Sequence, residues 1–134
     1  MKNIIGLLII GLVFISCDPT IGYEYYLDNQ SDSVLIVLFN GYGFNGSNDS
    51  IRQVQPKTEI RIYDTYIRGK NPHDEKDEFL KIFDTIAIMT VNRIVVKKDI
   101  YNRENWTYDN DISHFGTIKT GINIYRLNLD NADI

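Results

Sequence analysis

Two histidines and the acids near them are the residues of this chain whose types could support catalysis. His114 closely follows Asp109 and Asp111, and a hydrolase could use its imidazole as a base oriented by one of these carboxylates. Neighbours on a strand point to opposite faces, so Ser113, His114 and Asp111 do not form a triad by spacing alone. Neither His73 nor His114 has the spacing of a zinc site. We expect no catalytic residue, metal or cofactor, and keep a small hydrolase using His114 with Asp109 or Asp111 as the alternative.

A glycine-rich stretch, GYGFNG at residues 41–46, has the GxGxxG spacing of a dinucleotide-binding loop. That motif works because a helix begins at the loop and directs its N–H groups at the pyrophosphate. Strand-forming residues and Pro56 follow here, so we expect no such helix and no nucleotide. The aromatic rings and amides of this stretch could instead be presented to a sugar or a peptide. The candidate ligand-binding residues are Tyr42, Phe44, Asn45 and Asn48.

Cys17 is the one cysteine in the sequence, and it comes directly after an apolar run. Residues 4–15 carry no polar side chain, and Lys2 precedes them. Crossing a bilayer takes about 20 apolar residues in a helix, so this run is too short to remain as an anchor and has the form of a secretion signal. The pattern predicts export and removal of residues 1–16.

The segment that ends in Ser16 and Cys17 resembles the lipobox of bacterial lipoproteins, in which the cysteine is diacylated, becomes the first residue and is then N-acylated. It departs from the family at Phe14 and Ile15, where Leu and a small residue are usual. The resemblance implies three acyl chains on Cys17, and two or more chains hold a protein firmly on a bilayer. Residues 17–22 would form a short tether. We expect the protein in the cell envelope, at the outer membrane rather than the inner one, facing the periplasm or the cell surface.

The charge balance excludes one class of partner. The chain has 14 Lys and Arg against 18 Asp and Glu, a net charge of −4, and loss of Lys2 with the leader makes it more negative. Such a surface repels phosphate backbones, so we expect no nucleic acid partner. A single cysteine allows no intrachain disulfide. Residues 23–134 are enough for one domain that is stabilised by packing.

Strand-like runs separated by Asn, Asp and Gly clusters recur along this domain, which is typical of antiparallel β structure. The runs are YEYYL at 23–27, SVLIVLF at 33–39, SIRQV at 50–54, TEIRIYDTYI at 58–67, TIAIMTV at 85–91, RIVVKK at 93–98 and INIYRLNL at 122–129. The continuous apolarity of SVLIVLF predicts a central strand that is buried on both faces. The polar stretch 99–116 is predicted to cross between strands.

One segment predicts a helix. Asn71 is suited to the N-cap and Pro72 to the first helical position, and apolar residues follow at three- and four-residue steps. These apolar residues are Phe79, Ile82, Phe83 and Ile86. With about seven strands and one short helix, the sequence predicts a mainly β domain, an antiparallel two-sheet β-sandwich of immunoglobulin-like character.

The layout, with an aromatic first strand and the turn in YEYYLDNQS, is similar to that of small lipoproteins of Bacteroidota-type bacteria, most of which have no known function. Three triplets resemble the O-glycosylation acceptor of exported Bacteroidota proteins, with Ser33, Ser50 and Thr85 as acceptors and Ser50 in a flexible loop. We expect a binding or interaction module without enzymatic activity, with an envelope protein or a glycan as partner and the lipid bilayer reached through Cys17. An inhibitor or immunity-type lipoprotein is a further alternative.

Overall fold

The computed structural model describes residues 20–43, 46–68, 73–115 and 118–134, which form seven strands in two sheets. Strand makes up 63% of the structure. The strands are β1 (Thr20–Asn29), β2 (Leu35–Gly43), β3 (Gly46–Val54), β4 (Thr58–Arg68), β5 (Phe83–Thr90), β6 (Trp106–Phe115) and β7 (Ile118–Leu129). The mainly β, two-sheet prediction is confirmed.

The larger sheet has the strand order β4-β1-β7-β6 and the smaller one the order β3-β2-β5. An immunoglobulin constant domain places its first, second, fifth and fourth strands in one sheet and the other three in the second. The strand order here is different from that arrangement. The pairing is also not entirely antiparallel, because β1 and β7 run parallel, with Tyr25 beside Tyr125. Every other strand pair is antiparallel.

Two segments differ from their prediction. RIVVKK forms no strand; Val95 makes one isolated bridge to Met89, and the turn before it holds Arg93 at φ 64°. The stretch predicted to cross between strands contains β6, whose ten residues pair with β7 along their whole length. The count of seven is therefore right although one predicted strand is replaced by another.

The predicted helix is also shorter than expected. Within the described part of that segment, only Lys76–Glu78 form a turn of 3-10 helix, and β5 already begins at Phe83. Lys76 has φ 41°, a left-handed conformation that does not continue an α-helix. Phe79 and Ile82 are nevertheless buried in the core, so the apolar residues pack as predicted without the helix.

The core lies between the sheets and is rich in aromatic rings. The ring of Tyr25 on β1 meets Phe83 of the other sheet edge to face at 5.0 Å and stacks on Tyr125 at 5.3 Å. Phe39 on β2 meets Tyr63 on β4 at 5.5 Å. Such edge and offset contacts add about 1 kcal/mol each to the burial of the rings. In a chain without disulfides, these contacts hold the two sheets together.

Candidate functional site

The smaller sheet lacks a fourth strand, and residues 73–82 occupy its place against the inner face of β6 and β7. The Tyr25 hydroxyl donates to the Phe79 carbonyl oxygen, and the Glu75 N–H donates to the Tyr125 hydroxyl at 3.0 Å. The Phe79 ring lies 5.7 Å from that of Trp106. These bonds fix a segment with little regular structure onto the sheet, so its side chains have defined positions.

Arg103 links the polar groups that lie beside this segment. Its Nε and Nη2 donate to the two carboxylate oxygens of Asp74 at 2.9 and 2.7 Å, and its Nη1 donates to the Trp106 carbonyl oxygen. The guanidinium carbon lies 5.3 Å from the centre of the Tyr125 ring and 5.7 Å from that of Phe79. Arginine is the residue best suited to pair with a carboxylate and stack on rings at once.

The environment shifts the pKa values of the groups around Arg103. Burial alone would raise the pKa of Asp74, but hydrogen bonds from Arg103 and from the Lys76 N–H outweigh it and hold that pKa below its usual value. Burial raises the pKa of Tyr125 and of Tyr23, and the hydrogen bond to Glu75 raises the latter further. At neutral pH the site therefore contains an ionised ion pair among protonated phenols.

A second carboxylate, Glu75, is more deeply buried, with its side chain 7% exposed. The Tyr23 hydroxyl donates to it at 2.6 Å, and Lys81 and His73 each place a nitrogen 3.7 Å away. A buried carboxylate with these neighbours positions the segment on the sheet. It provides a structural reason for the acidic pair Asp74 and Glu75.

The outer boundary of this site is an open cleft of about 610 Å³, the Arg103 cleft. It is lined by Asp74, Lys76, Phe79, Tyr101, Asn102, Arg103 and Glu104. The side chain of Tyr101 is held by its hydroxyl, which donates to the Ile86 carbonyl oxygen at 2.8 Å, while the residue stays 60% exposed. An exposed ring in a fixed position is a surface on which a ligand can stack at little entropic cost.

The wall of this cleft beyond Tyr101 is also fixed locally. The Asn102 side chain caps the turn Arg103–Asn105 by accepting from the Glu104 N–H at 3.0 Å. The cleft thus combines a ring, an amide, two cations and two carboxylates on a rigid frame. A few convergent polar groups beside apolar surface are the usual composition of a ligand site.

The structure separates the residues of the alternative catalytic site. β6 pairs with β7 without a register shift, so its side chains alternate between the faces of the sheet. His114 shares a face with Trp106 and Tyr108, whereas Asp109 and Asp111 lie on the other. All three residues of that hypothesis are exposed, and this part of the chain does not bring the imidazole to either carboxylate.

The candidate ligand-binding residues fall at the tip of the β2–β3 hairpin. Pairing continues to Gly43 and Gly46, so the described part of the glycine-rich stretch is strand. Phe44 and Asn45 lie outside the described residues, and of Tyr42 and Asn48 only the backbone is described, paired with Ser47 and Gly41. Cys17 also lies outside the described residues.

The three candidate acceptors of a glycan occupy different surroundings. Thr85 is exposed on β5. Ser33 is half-buried, and its carbonyl oxygen accepts from the Asn29 side chain at 2.8 Å. Ser50 is half-buried and lies within β3 opposite Phe39, in a strand and not in the predicted flexible loop.

Sequence reasoning missed the residues that form the Arg103 cleft. Asp74 and Arg103 are 29 positions apart, and no local pattern joins them. The one usable signal is the alternation of Tyr23 with Tyr25, which marks a strand with polar hydroxyls on its buried face. Hydroxyls buried in this way need partners from elsewhere in the chain.

Within the described ranges, no three His, Cys, Asp or Glu side chains stand close enough together to hold a metal ion. The same part of the chain contains no helix of the length and apolarity that crossing a bilayer requires. No protein-family model, curated protein or solved structure matches the sequence.

Proposed function

We propose that this protein is an exported lipoprotein of the cell envelope that binds a ligand in the Arg103 cleft. Anchoring is supported by the apolar run, its basic flank and Cys17 at its end. Binding is supported by one observation above the others, the exposed but fixed ring of Tyr101 beside the paired Arg103 and Asp74.

A glycan is the ligand class that fits this cleft best. Sugars present an apolar ring face that packs on an aromatic side chain and hydroxyls that pair with carboxylates, amides and guanidinium groups. Tyr101, Asn102 and Glu104 offer these groups on the rim of the cleft.

The cleft also lies far along the domain from Thr20, the end at which the proposed tether would join it. Its residues precede β6, whose first residue pairs with Leu127 at the level of Leu27. Leu27 is seven residues along β1 from Thr20, about 23 Å at the rise of a strand. A tether that joins Thr20 to lipid therefore leaves the cleft well away from the bilayer.

Two measurements test the two halves of this proposal. Mass spectrometry of the protein from native membranes should find Cys17 as the first residue with acyl chains attached; an unmodified Cys17 with the leader retained would contradict the anchoring.

NMR titration with envelope-derived oligosaccharides should shift the amide signals of Tyr101 to Glu104. Tyr101→Ala should abolish these shifts. Tyr66→Ala, which changes an exposed tyrosine on β4 at the other edge of the larger sheet, should preserve them; equal losses in both variants would contradict the site.

A further inference from the structure

A second cleft opens on the side of the sandwich opposite to the Arg103 cleft. β3 is an edge of the smaller sheet and β4 an edge of the larger one, whereas β6 is at the far edge of that larger sheet. The cleft lies where β3 and β4 come side by side, and its volume is about 390 Å³, within the range of small-molecule sites. We name it the Arg52 cleft. Its lining includes Phe39, Ser50, Arg52, Arg61 and Asp64.

Arg52 occupies a core-facing position of the edge strand β3. It pairs with Val37, and both Val37 and Val54 on the same face are fully buried. Its guanidinium carbon lies 6.0 Å from the centre of the buried Phe39 ring, at the outer limit of a cation–π contact. An inward charge on an edge strand discourages pairing with another sheet, and this one also places a cation in the mouth of a cleft.

The hydrogen-bond donors that line this cleft are largely unused. Within the described part of the chain, neither the Arg52 guanidinium nor the Ser50 hydroxyl has a hydrogen-bond partner. On the β4 wall, Arg61 donates from Nη1 to Glu24 at 2.9 Å, and a guanidinium has five N–H groups. The Asp64 carboxylate lies 3.9 Å from the Arg61 Nε, too far for a hydrogen bond. Donors on two strands therefore line one space and remain free for a ligand.

The charge of this lining is opposite in sign to that of the whole chain. The chain has a net charge of −4, whereas the lining has two arginines and one aspartate. In the Arg103 cleft, by comparison, two cations and two carboxylates balance, and Arg103 already has Asp74 as its partner. The planar N–H groups of a guanidinium match two oxygens of one anionic group. The Arg52 cleft is therefore suited to an anion that carries such oxygens.

We propose that the Arg52 cleft binds the anionic oxygen group of a small molecule, which is a carboxylate, a sulfate or a phosphate. Arg52 and Arg61 pair with its oxygens from the two walls, and the Ser50 hydroxyl donates a further hydrogen bond. The cleft is much larger than the group itself, which leaves room for the rest of the molecule. This site shares no lining residue with the Arg103 cleft, so the two are tested separately.

NMR titration of the full chain in nanodiscs with acetate, sulfate and phosphate tests the site, with sodium chloride of equal ionic strength as the blank. The amide signals of residues 50–52 and 61–64 should shift saturably, and the anion with the lowest half-saturation concentration identifies the group. Arg52→Gln should raise that concentration about tenfold or more, because a hydrogen-bonded charge pair is lost. Arg93→Gln is the matched control; it removes the same charge from an exposed position outside the cleft and should leave the concentration unchanged.

A second substitution should act in the other direction. Asp64→Asn removes the carboxylate that repels an anion, while Glu24 still holds Arg61, so binding should tighten roughly two- to fivefold. A gain of this kind does not arise from damage to the fold. Three results would overturn the proposal: no saturable shift with any of the three anions, equal effects of Arg52→Gln and Arg93→Gln, or weaker binding in Asp64→Asn.

Discussion

At the scale of single residues, the ion pair of Asp74 and Arg103 has the largest consequence. Their side chains are 27% and 19% exposed, so both charges are partly removed from water and compensate each other. Breaking such a pair from one side costs more than the pair contributes, since the remaining charge is buried alone.

Asp74→Asn should lower the free energy of unfolding by about 2 kcal/mol at pH 7, because Arg103 loses a charge-assisted bidentate partner. Asp32→Asn is the control; Asp32 pairs with Lys57 at 2.9 Å on the open surface, and its loss should leave the urea midpoint within error. Equal midpoint shifts in both variants would contradict the role given to burial.

The same variant should change the acid limb of the stability profile. The folded pKa of Asp74 lies below its unfolded value of about 3.9, so its contribution is present above that value and is lost as pH falls through the folded pKa. In urea titrations from pH 5 downward, the difference between wild type and Asp74→Asn should shrink. A difference that stays constant down to acid unfolding would show that Asp74 ionisation is not linked to folding.

The buried tyrosines should make the fold less stable at high pH, whereas Asp74 should do so at low pH. Burial raises the pKa values of Tyr25, Tyr125 and Tyr23 above 10, so their protonated forms stabilise the fold below about pH 10 and this contribution is lost as pH rises. Tyrosinate absorbance should rise first for the exposed phenols and then in a cooperative step that coincides with loss of near-UV circular dichroism. A single smooth titration near pH 10 with the fold intact would contradict this prediction.

At the scale of elements, Asn29 connects the two sheets. Its side chain is fully buried, and its amide donates to the carbonyl oxygens of Ser33, Val54 and Gln55 at 2.8 to 3.2 Å. Its side-chain oxygen accepts from the N–H and hydroxyl of Ser31. One amide thus joins the end of β1 to the start of β2 and the end of β3.

Asn29→Ala should cost about 3 kcal/mol of unfolding free energy, since several buried groups lose their partner at once. Asn128→Ala, an exposed asparagine on β7, should cost little. Chemical denaturation measures both, and a cost below about 1 kcal/mol at position 29 would show that water replaces the amide.

Two glycines lie so close to neighbouring atoms that an added Cβ would crowd them, and these neighbours differ in how easily they can move. A Cβ on Gly41 would lie 3.2 Å from the Tyr63 ring and 3.3 Å from the Ile82 carbonyl oxygen, both of them buried; on Gly22 it would meet the half-exposed Tyr66 ring at 3.1 Å. Tyr66 can rotate into solvent, whereas Ile82 is backbone. Gly41→Ala should therefore destabilise by about 2 kcal/mol and Gly22→Ala by clearly less; thermal unfolding that ranks them in the reverse order would contradict this.

The sequence predicted most of the strands and few of the pairings. Alternation and apolar runs located β1, β2, β4, β5, β7 and the second half of β3, because these patterns reflect burial of one face. β6 was missed because its residues are mostly polar: it is an edge strand, and only Trp106 of its described side chains is buried. RIVVKK was taken for a strand because its exposed β-branched residues, Ile94 and Val95, have high strand propensity, although they lack a strand to pair with.

At the scale of the whole molecule, the directions of β1 and β2 set which end of the sandwich would face the membrane under the proposed anchoring. Asn29 at the end of β1 contacts Ser33 and Val54, so β2 runs back toward the level where β1 starts. The tip of the β2–β3 hairpin therefore lies at the same end of the sandwich as Thr20, the first described residue, whereas the Arg103 cleft does not.

Spin-labelled lipids can measure this orientation in nanodiscs that carry the acylated protein. A fluorophore at Ser47→Cys, next to the hairpin tip, should be quenched strongly, and one at Asn102→Cys, in the Arg103 cleft, weakly. Comparable quenching at both positions would contradict the orientation, and stronger quenching at position 102 would reverse it.

The parallel pairing of β1 with β7 has a consequence for biogenesis. β1 lies between β4 and β7, and β7 follows the other six strands in the chain, so the first strand to leave the ribosome obtains its second neighbour last. Contacts between strands so far apart in sequence form slowly. A nascent polypeptide of this design cannot close its larger sheet while synthesis is under way. Under the export proposed above, this delay would leave the chain unfolded when it meets a secretion pore.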